Sequence, residues 1–180
     1  SFTRTTSSRR ASAHGVYKPN RSAPFPQRPD ARTIYERMND THANARPATV
    51  ADTTCIVLAG GLGTRLRDTI GPVPKCMAPV CGRPFLDYLL RRLHRNGFRK
   101  IVLSLGYLHE QVETWVEREK PDFDFDFSVE RQPLGTGGAI ALAMTRVRTP
   151  QALILNGDTF FDMNTDAFLA SHASAGTPMS

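Results

Sequence analysis

An α/β fold, a mostly parallel sheet with helices on both faces, is what this sequence predicts, on three observations. Short apolar runs at 54–58, 100–105 and 152–155 suit strands buried on both faces. Segments with apolar residues at helical spacing lie between them, and strands alternating with helices build a parallel sheet. A glycine-rich loop and an Asn-Gly-Asp turn each follow such a strand, at the end of the sheet where ligands bind. With 180 residues, 40% of them hydrophobic, the chain supports one ordinary domain with a core.

A basic, polar extension comes first. Residues 1–28 carry Arg4, Arg9, Arg10, Lys18, Arg21 and Arg28 and no acid, which accounts for the whole net charge of +6. The other 17 cations meet 17 acids, so the folded part is neutral and a nucleic-acid partner is not expected. Residues 1–52, rich in Ser, Thr, Arg, Pro and Ala, read as disordered, with 53–180 as the folded domain. The start superficially resembles an organelle transit peptide; a non-functional extension with Met38 as natural start is the simpler expectation. No apolar run suits a signal peptide or a membrane span. Cys55, Cys76 and Cys81 lack the spacing of a zinc site, and a reducing, cytoplasmic setting accounts for them most simply.

The first strand, 54–58, empties into a loop with Gly60, Gly61 and Gly63. Such a loop lets backbone N–H groups approach an anion, because no Cβ intervenes. Arg65 and Lys75 add two cations, and together these features describe a polyphosphate site. The P-loop is excluded because no Lys followed by Ser or Thr comes after the loop, and the dinucleotide fingerprint because Leu66 stands where its third glycine belongs. A tight turn with incidental glycines is the plainer alternative.

Pro72 and Pro74 keep the next segment extended, presenting Lys75 from a stiff stretch. Gly82 marks a turn, and Pro84 opens a helix to about 96 with Leu86, Leu89, Leu90 and Leu93 inward and Gly97 as its cap. After the strand 100–105, a helix over 110–119 buries Val112, Trp115 and Val116. Residues 123–129, F-D-F-D-F-S-V, alternate strictly and predict a strand with one buried and one solvated face. Gly135, Gly137 and Gly138 predict a flexible loop before a helix over 139–146. The strand 152–155 leads to Asn156, Gly157 and Asp158, and a last helix spans 166–173.

The run G-G-L-G-T-R-L, followed by P-K-C-M-A-P-V-C-G-R-P-F-L, resembles the sugar-phosphate nucleotidylyltransferases. Residues 130–139, E-R-Q-P-L-G-T-G-G-A, and 155–161, L-N-G-D-T-F-F, look like that family's base-reading loop and metal-binding turn. The resemblance covers about 54–173 and looks closest to the D-glycero-D-manno-heptose 1-phosphate guanylyltransferase branch. It implies a Rossmann-like, GT-A-type sheet, truncated at its C-terminus, since relatives continue beyond where this chain stops. The implied reaction transfers GMP from GTP to a sugar 1-phosphate with release of pyrophosphate, the product serving bacterial polysaccharide synthesis.

By motif match, Leu58, Ala59, Gly60, Gly61, Gly63 and Thr64 cradle the nucleotide, Arg65 holds the departing phosphates, and Lys75 reaches the α-phosphate or sugar phosphate. Asp158 binds Mg²⁺, and Asp162 is a weaker candidate beside it. Glu130, Pro133, Gly135 and Thr136 belong to the base loop; guanine presents two donors that one carboxylate accepts, and pyrimidine-using relatives tend to carry glutamine at Glu130. Cys76 departs from the family, which often has proline or another small residue there. Mannose-1-phosphate guanylyltransferase and glucose-1-phosphate thymidylyltransferase are the alternatives within the family. A GT-A glycosyltransferase, an inactive fragment and a non-catalytic nucleotide-binding paralogue are the alternatives outside it. The oligomeric state is left open.

Overall fold

A computed structural model describes residues 49–61, 63 and 70–180. Of the expected extension over 1–52, residues 1–48, with Met38, lie outside them, as do Thr64 and Arg65. The packed unit starts earlier than the expected boundary at 52: Val50–Asp52 form a turn of 3₁₀ helix, and Val50 is buried.

Four parallel strands form the sheet: β1 (Thr53–Leu58), β4 (Lys100–Leu105), β5 (Asp124–Val129) and β6 (Gln151–Asn156), in spatial order β5-β4-β1-β6. A small hairpin, β2 (Pro79–Val80) with β3 (Arg83–Pro84), interrupts the first crossover. Cys81 and Gly82 turn it with positive φ of 45° and 77°, the backbone twist that suits a two-residue hairpin.

Among the described residues the α-helices with given bounds are α1 (Phe85–Arg95), α2 (His109–Glu119), α3 (Gly135–Met144) and α4 (Thr165–Ala175). Period-two alternation along the strands divides the core. Cys55, Val57, Ile101 and Leu103 meet α1 and α2 on one face, where Trp115 is core packing as its spacing predicts. Ile56, Val102 and Ile154 meet Ala143 and Met144 of α3 on the other. Helices therefore cover both faces, as expected.

Two expectations change. The glycines 135, 137 and 138 do not form a loop before a helix but its first turn. A first helical turn needs no internal hydrogen bonds from its N–H groups, so glycine is tolerated there. The alternation of β5 does not give a wholly solvated polar face either. Ser128 is buried and Asp126 half-buried beside Arg146, because α3 lies over that face.

Strand order reverses beside β1. The chain runs outward from β1 through β4 to β5, then returns to place β6 on the other flank of β1. Loops leaving β1 and β6 at their carboxyl ends therefore face one crevice, the position where open parallel sheets hold ligands.

Candidate nucleotide site

The crevice is an open cleft of about 750 Å³. From the first strand and its loop it takes Leu58, Gly60 and Gly61; from the loop after β5 it takes Glu130, Pro133, Gly135 and Thr136; from the turn after β6 it takes Asp158. Leu58 and Asp158, 100 positions apart (158 − 58), thus share one concavity, through the register that pairs Leu58 with both Ser104 and Asn156.

The glycines hold these pieces close. Gly157 N–H donates to Leu58 O at 2.7 Å, and a Cβ on Gly157 would stand 2.9 Å from that oxygen and 3.0 Å from Ala59 Cβ. Only a residue without a side chain lets the Asp158 turn press against the end of β1. Ala59 is buried in that contact and donates its N–H to Ser104 O at 2.7 Å, so its side chain packs inside the wall. Gly63, with φ +58°, sits against Lys75: a Cβ on it would lie 3.3 Å from Lys75 Cβ.

Lys75 does not project from a straight segment. It opens a 3₁₀ turn, Lys75–Met77, anchored by buried Cys76 beneath it. Pro74 is buried, and Gln111 Nε2 donates to Pro72 O at 3.2 Å, so α2 helps to fix the approach. The Lys75 ammonium reaches across to Asp158 and donates to Oδ2 at 2.5 Å. Chiefly through that bond, the Asp158 carboxyl is held below its ordinary range, against partial burial that acts the other way. Thr159 Oγ1 donates to the other oxygen of Asp158. The Cys76 thiol is pushed up to about 12, first by burial.

Asp162 is drawn elsewhere. It pairs with Arg92 of α1, whose guanidinium also stands 6.0 Å from the Phe160 ring centroid. This anchors the far end of the turn and leaves Asp158 as the carboxylate facing the cleft from it. A hard carboxylate oxygen suits Mg²⁺, which takes one or two protein carboxylates and completes its shell with phosphates and water. Among the described residues no three His, Cys, Asp or Glu side chains converge.

In the loop after β5, Glu130 Oε2 accepts the Leu134 N–H at 2.8 Å. Sequence reasoning missed the part of the wall that follows β4, between the loops after β1 and β5: Gly106, Tyr107, Leu108 and His109. A Cβ on Gly106 would lie 2.7 Å from Gly60 O, so the loop after β4 rests directly on the loop after β1. The available signal was a glycine at the carboxyl end of a parallel strand. No motif marks it, and the signal is weak by itself.

No described helix is long and apolar enough to cross a membrane. Comparison with known proteins gives this site its kin. The chain is 40% identical over 119 residues to the D-glycero-alpha-D-manno-heptose 1-phosphate guanylyltransferase of Aneurinibacillus thermoaerophilus, covering 66% of this chain and 52% of that protein. It is 34% identical over 120 residues to a mannose-1-phosphate guanylyltransferase of Mycobacterium tuberculosis, covering 66% and 33%. Among solved structures, HddC from Yersinia pseudotuberculosis complexed with GMP-PN superposes with a TM-score of 0.61 and 38% identity, over 66% of this chain and 53% of that one. The chain spans about half the length of the heptose guanylyltransferase it matches. Residues 54–179 match the family described as nucleotidyl transferase, and the chain belongs to that family.

Proposed function

We propose that this chain is the nucleotide-binding portion of an enzyme that transfers GMP from GTP to D-glycero-D-manno-heptose 1-phosphate. The observation that carries the reading is the meeting of the β1 glycine loop, Lys75 and Asp158 at the reversal of strand order. A cation and a carboxylate beside open backbone suit a triphosphate with its metal. The guanine and heptose assignments draw on relatives whose names specify them. The cytoplasm is the setting proposed.

In this reaction an oxygen of the sugar phosphate attacks the α-phosphorus in line. The bond from that phosphorus to the oxygen bridging to the β-phosphate breaks, and pyrophosphate leaves with the electron pair. Positioning and charge stabilisation supply most of the acceleration in such transfers. The open face at Gly61, where no atom lies within 4 Å of a would-be Cβ, is the place proposed for close approach of phosphate oxygens to the backbone. Lys75 is proposed to leave Asp158 for the α-phosphate or sugar phosphate when substrates enter, and Arg65 to hold the departing phosphates. Asp158 would hold Mg²⁺, which supplies charge neutralisation on the phosphate oxygens.

Calorimetric titration with GTP, dTTP, UTP and CTP in Mg²⁺ tests the site. Selective GTP binding that weakens in Asp158→Ala and Lys75→Ala is expected, and a folded chain that binds none of the four overturns the reading. Mannose 1-phosphate is the second acceptor to test, because a mannose-1-phosphate guanylyltransferase matches at 34% identity. Pyrophosphate release with each sugar phosphate separates the two and shows whether this portion turns over.

A further inference from the structure

Glu130 follows the last residue of β5, and its N–H extends the sheet by donating to Leu105 O at 2.8 Å. Its side chain then turns back between two loops. Oε2 accepts the Leu134 N–H at 2.8 Å. Oε1 lies 3.0 Å from the point that a Gly60 Cβ would occupy, and Gly106 N stands 3.3 Å from that point. The carboxylate is thus wedged between the glycine loop after β1 and the turn at 131–134. Leu134 is the residue on which α3 opens, just before Gly135 at φ +68°. Pro133 has no N–H to offer, and the Leu134 amide after it is a donor through which the side chain holds this turn.

A carboxylate that reads guanine by accepting N1–H and the 2-amino group presents both oxygens to the base. Here one already holds the protein's own backbone. We propose that Glu130 is a positioning residue: it sets the spacing between the Gly60 loop and the 133–136 turn, and the base is met by the backbone and side chains of that turn. This rests on the reading of the cleft as a guanine nucleotide site. It also explains Gly60, whose bare Cα makes room for the carboxylate and for Gly106, while Gly61 is the glycine with open space before it.

The test uses the full chain with Glu130→Gln and Glu130→Ala, reading Leu134 amide exchange by NMR without nucleotide and then titrating GTP and UTP. Glutamine keeps an oxygen for the Leu134 N–H and loses the charge and the second acceptor. The expected result is a protected Leu134 amide in wild type and Gln variant, with exchange about tenfold faster or more in the Ala variant, as loss of a hydrogen bond permits. GTP affinity falls in the Ala variant, while the Gln variant stays within about threefold of wild type and keeps its preference over UTP. A Gln variant that loses about tenfold or more in GTP affinity with Leu134 still protected overturns the proposal and returns the carboxylate to direct base contact. Unchanged Leu134 exchange in the Ala variant overturns it as well. If wild type binds no nucleotide, the reading of the cleft falls and takes the role in binding with it, while the exchange rates still decide whether Glu130 holds the turn.

Discussion

Lys75 Nζ and Asp158 Oδ2 lie 2.5 Å apart, joining the segment after the glycine loop to the turn after β6 across 83 positions of sequence. Both side chains are partly exposed, at 44% and 33%, so the pair adds little to stability. Its value lies in keeping a carboxylate ionised and a cation in place at the mouth of the cleft.

That arrangement has a pH signature. The Lys75 hydrogen bond depresses the Asp158 carboxyl. A depressed carboxyl contributes stability above its unfolded value, and the contribution disappears as pH falls through the lower, folded value. Lys75→Met keeps the Cβ that packs on Gly63 and removes the charge. The Asp158 carboxyl, followed by NMR titration, is expected to move back up toward the ordinary carboxylate range in that variant. An unmoved midpoint would mean that the bond is not formed in solution.

The glycines of the first loop should separate under substitution. Gly60→Ala puts a Cβ 3.0 Å from Glu130 Oε1 and 3.3 Å from two backbone atoms. The expected cost is about 1–3 kcal/mol of stability from overpacking, read by urea denaturation. Gly61→Ala meets nothing within 4 Å and is expected to leave stability within about 0.5 kcal/mol of wild type while weakening GTP binding. Equal stability losses in the two would refute the contact geometry.

Thiol chemistry should be selective. Cys81 is exposed, while Cys55 and Cys76 are buried and their thiols are raised by burial, so neither forms thiolate readily. Alkylation of the native chain at mildly alkaline pH is expected to modify Cys81 alone, and all three only after denaturation. Modification of Cys76 at the Cys81 rate, counted by mass spectrometry, would show that the turn under Lys75 opens easily.

A polar clasp closes the sheet at the end away from the cleft. Thr149 Oγ1 accepts the Thr54 N–H at 3.1 Å, shares a hydrogen bond with Thr54 Oγ1 at 2.7 Å and donates to Gln151 O at 2.8 Å. Thr149→Val leaves the buried Thr54 N–H without its partner, at an expected cost of about 1–3 kcal/mol. GTP affinity should not change, because the substitution lies at the amino ends of β1 and β6; calorimetry on the variant checks this.

Much of the fold was legible in the sequence because its determinants are local. Apolar runs bounded by glycine and proline marked β1, β4 and β6, and Leu86, Leu89, Leu90 and Leu93 marked the buried stripe of α1. Gly60, Gly61, Glu130, Gly135 and Asp158, which line the cleft, were legible because each lies in a motif at or just beyond the carboxyl end of a strand, where an open parallel sheet forms its crevice. Other features depend on what folds on top of what. Ser128 sits on a strand face that reads as solvated until α3 covers it, and Asp162 resembles a metal ligand until Arg92 arrives from α1. Gly106 has no motif, and its reason for being glycine is the carbonyl of Gly60 pressed against it. By itself the sequence determined which residue types stand at the ends of which strands. The tertiary structure alone decided the strand order that brings those ends together, and with it that Lys75 meets Asp158 and Glu130 meets Leu134, because side-chain partners are set by packing between elements and turns rather than by spacing along the chain.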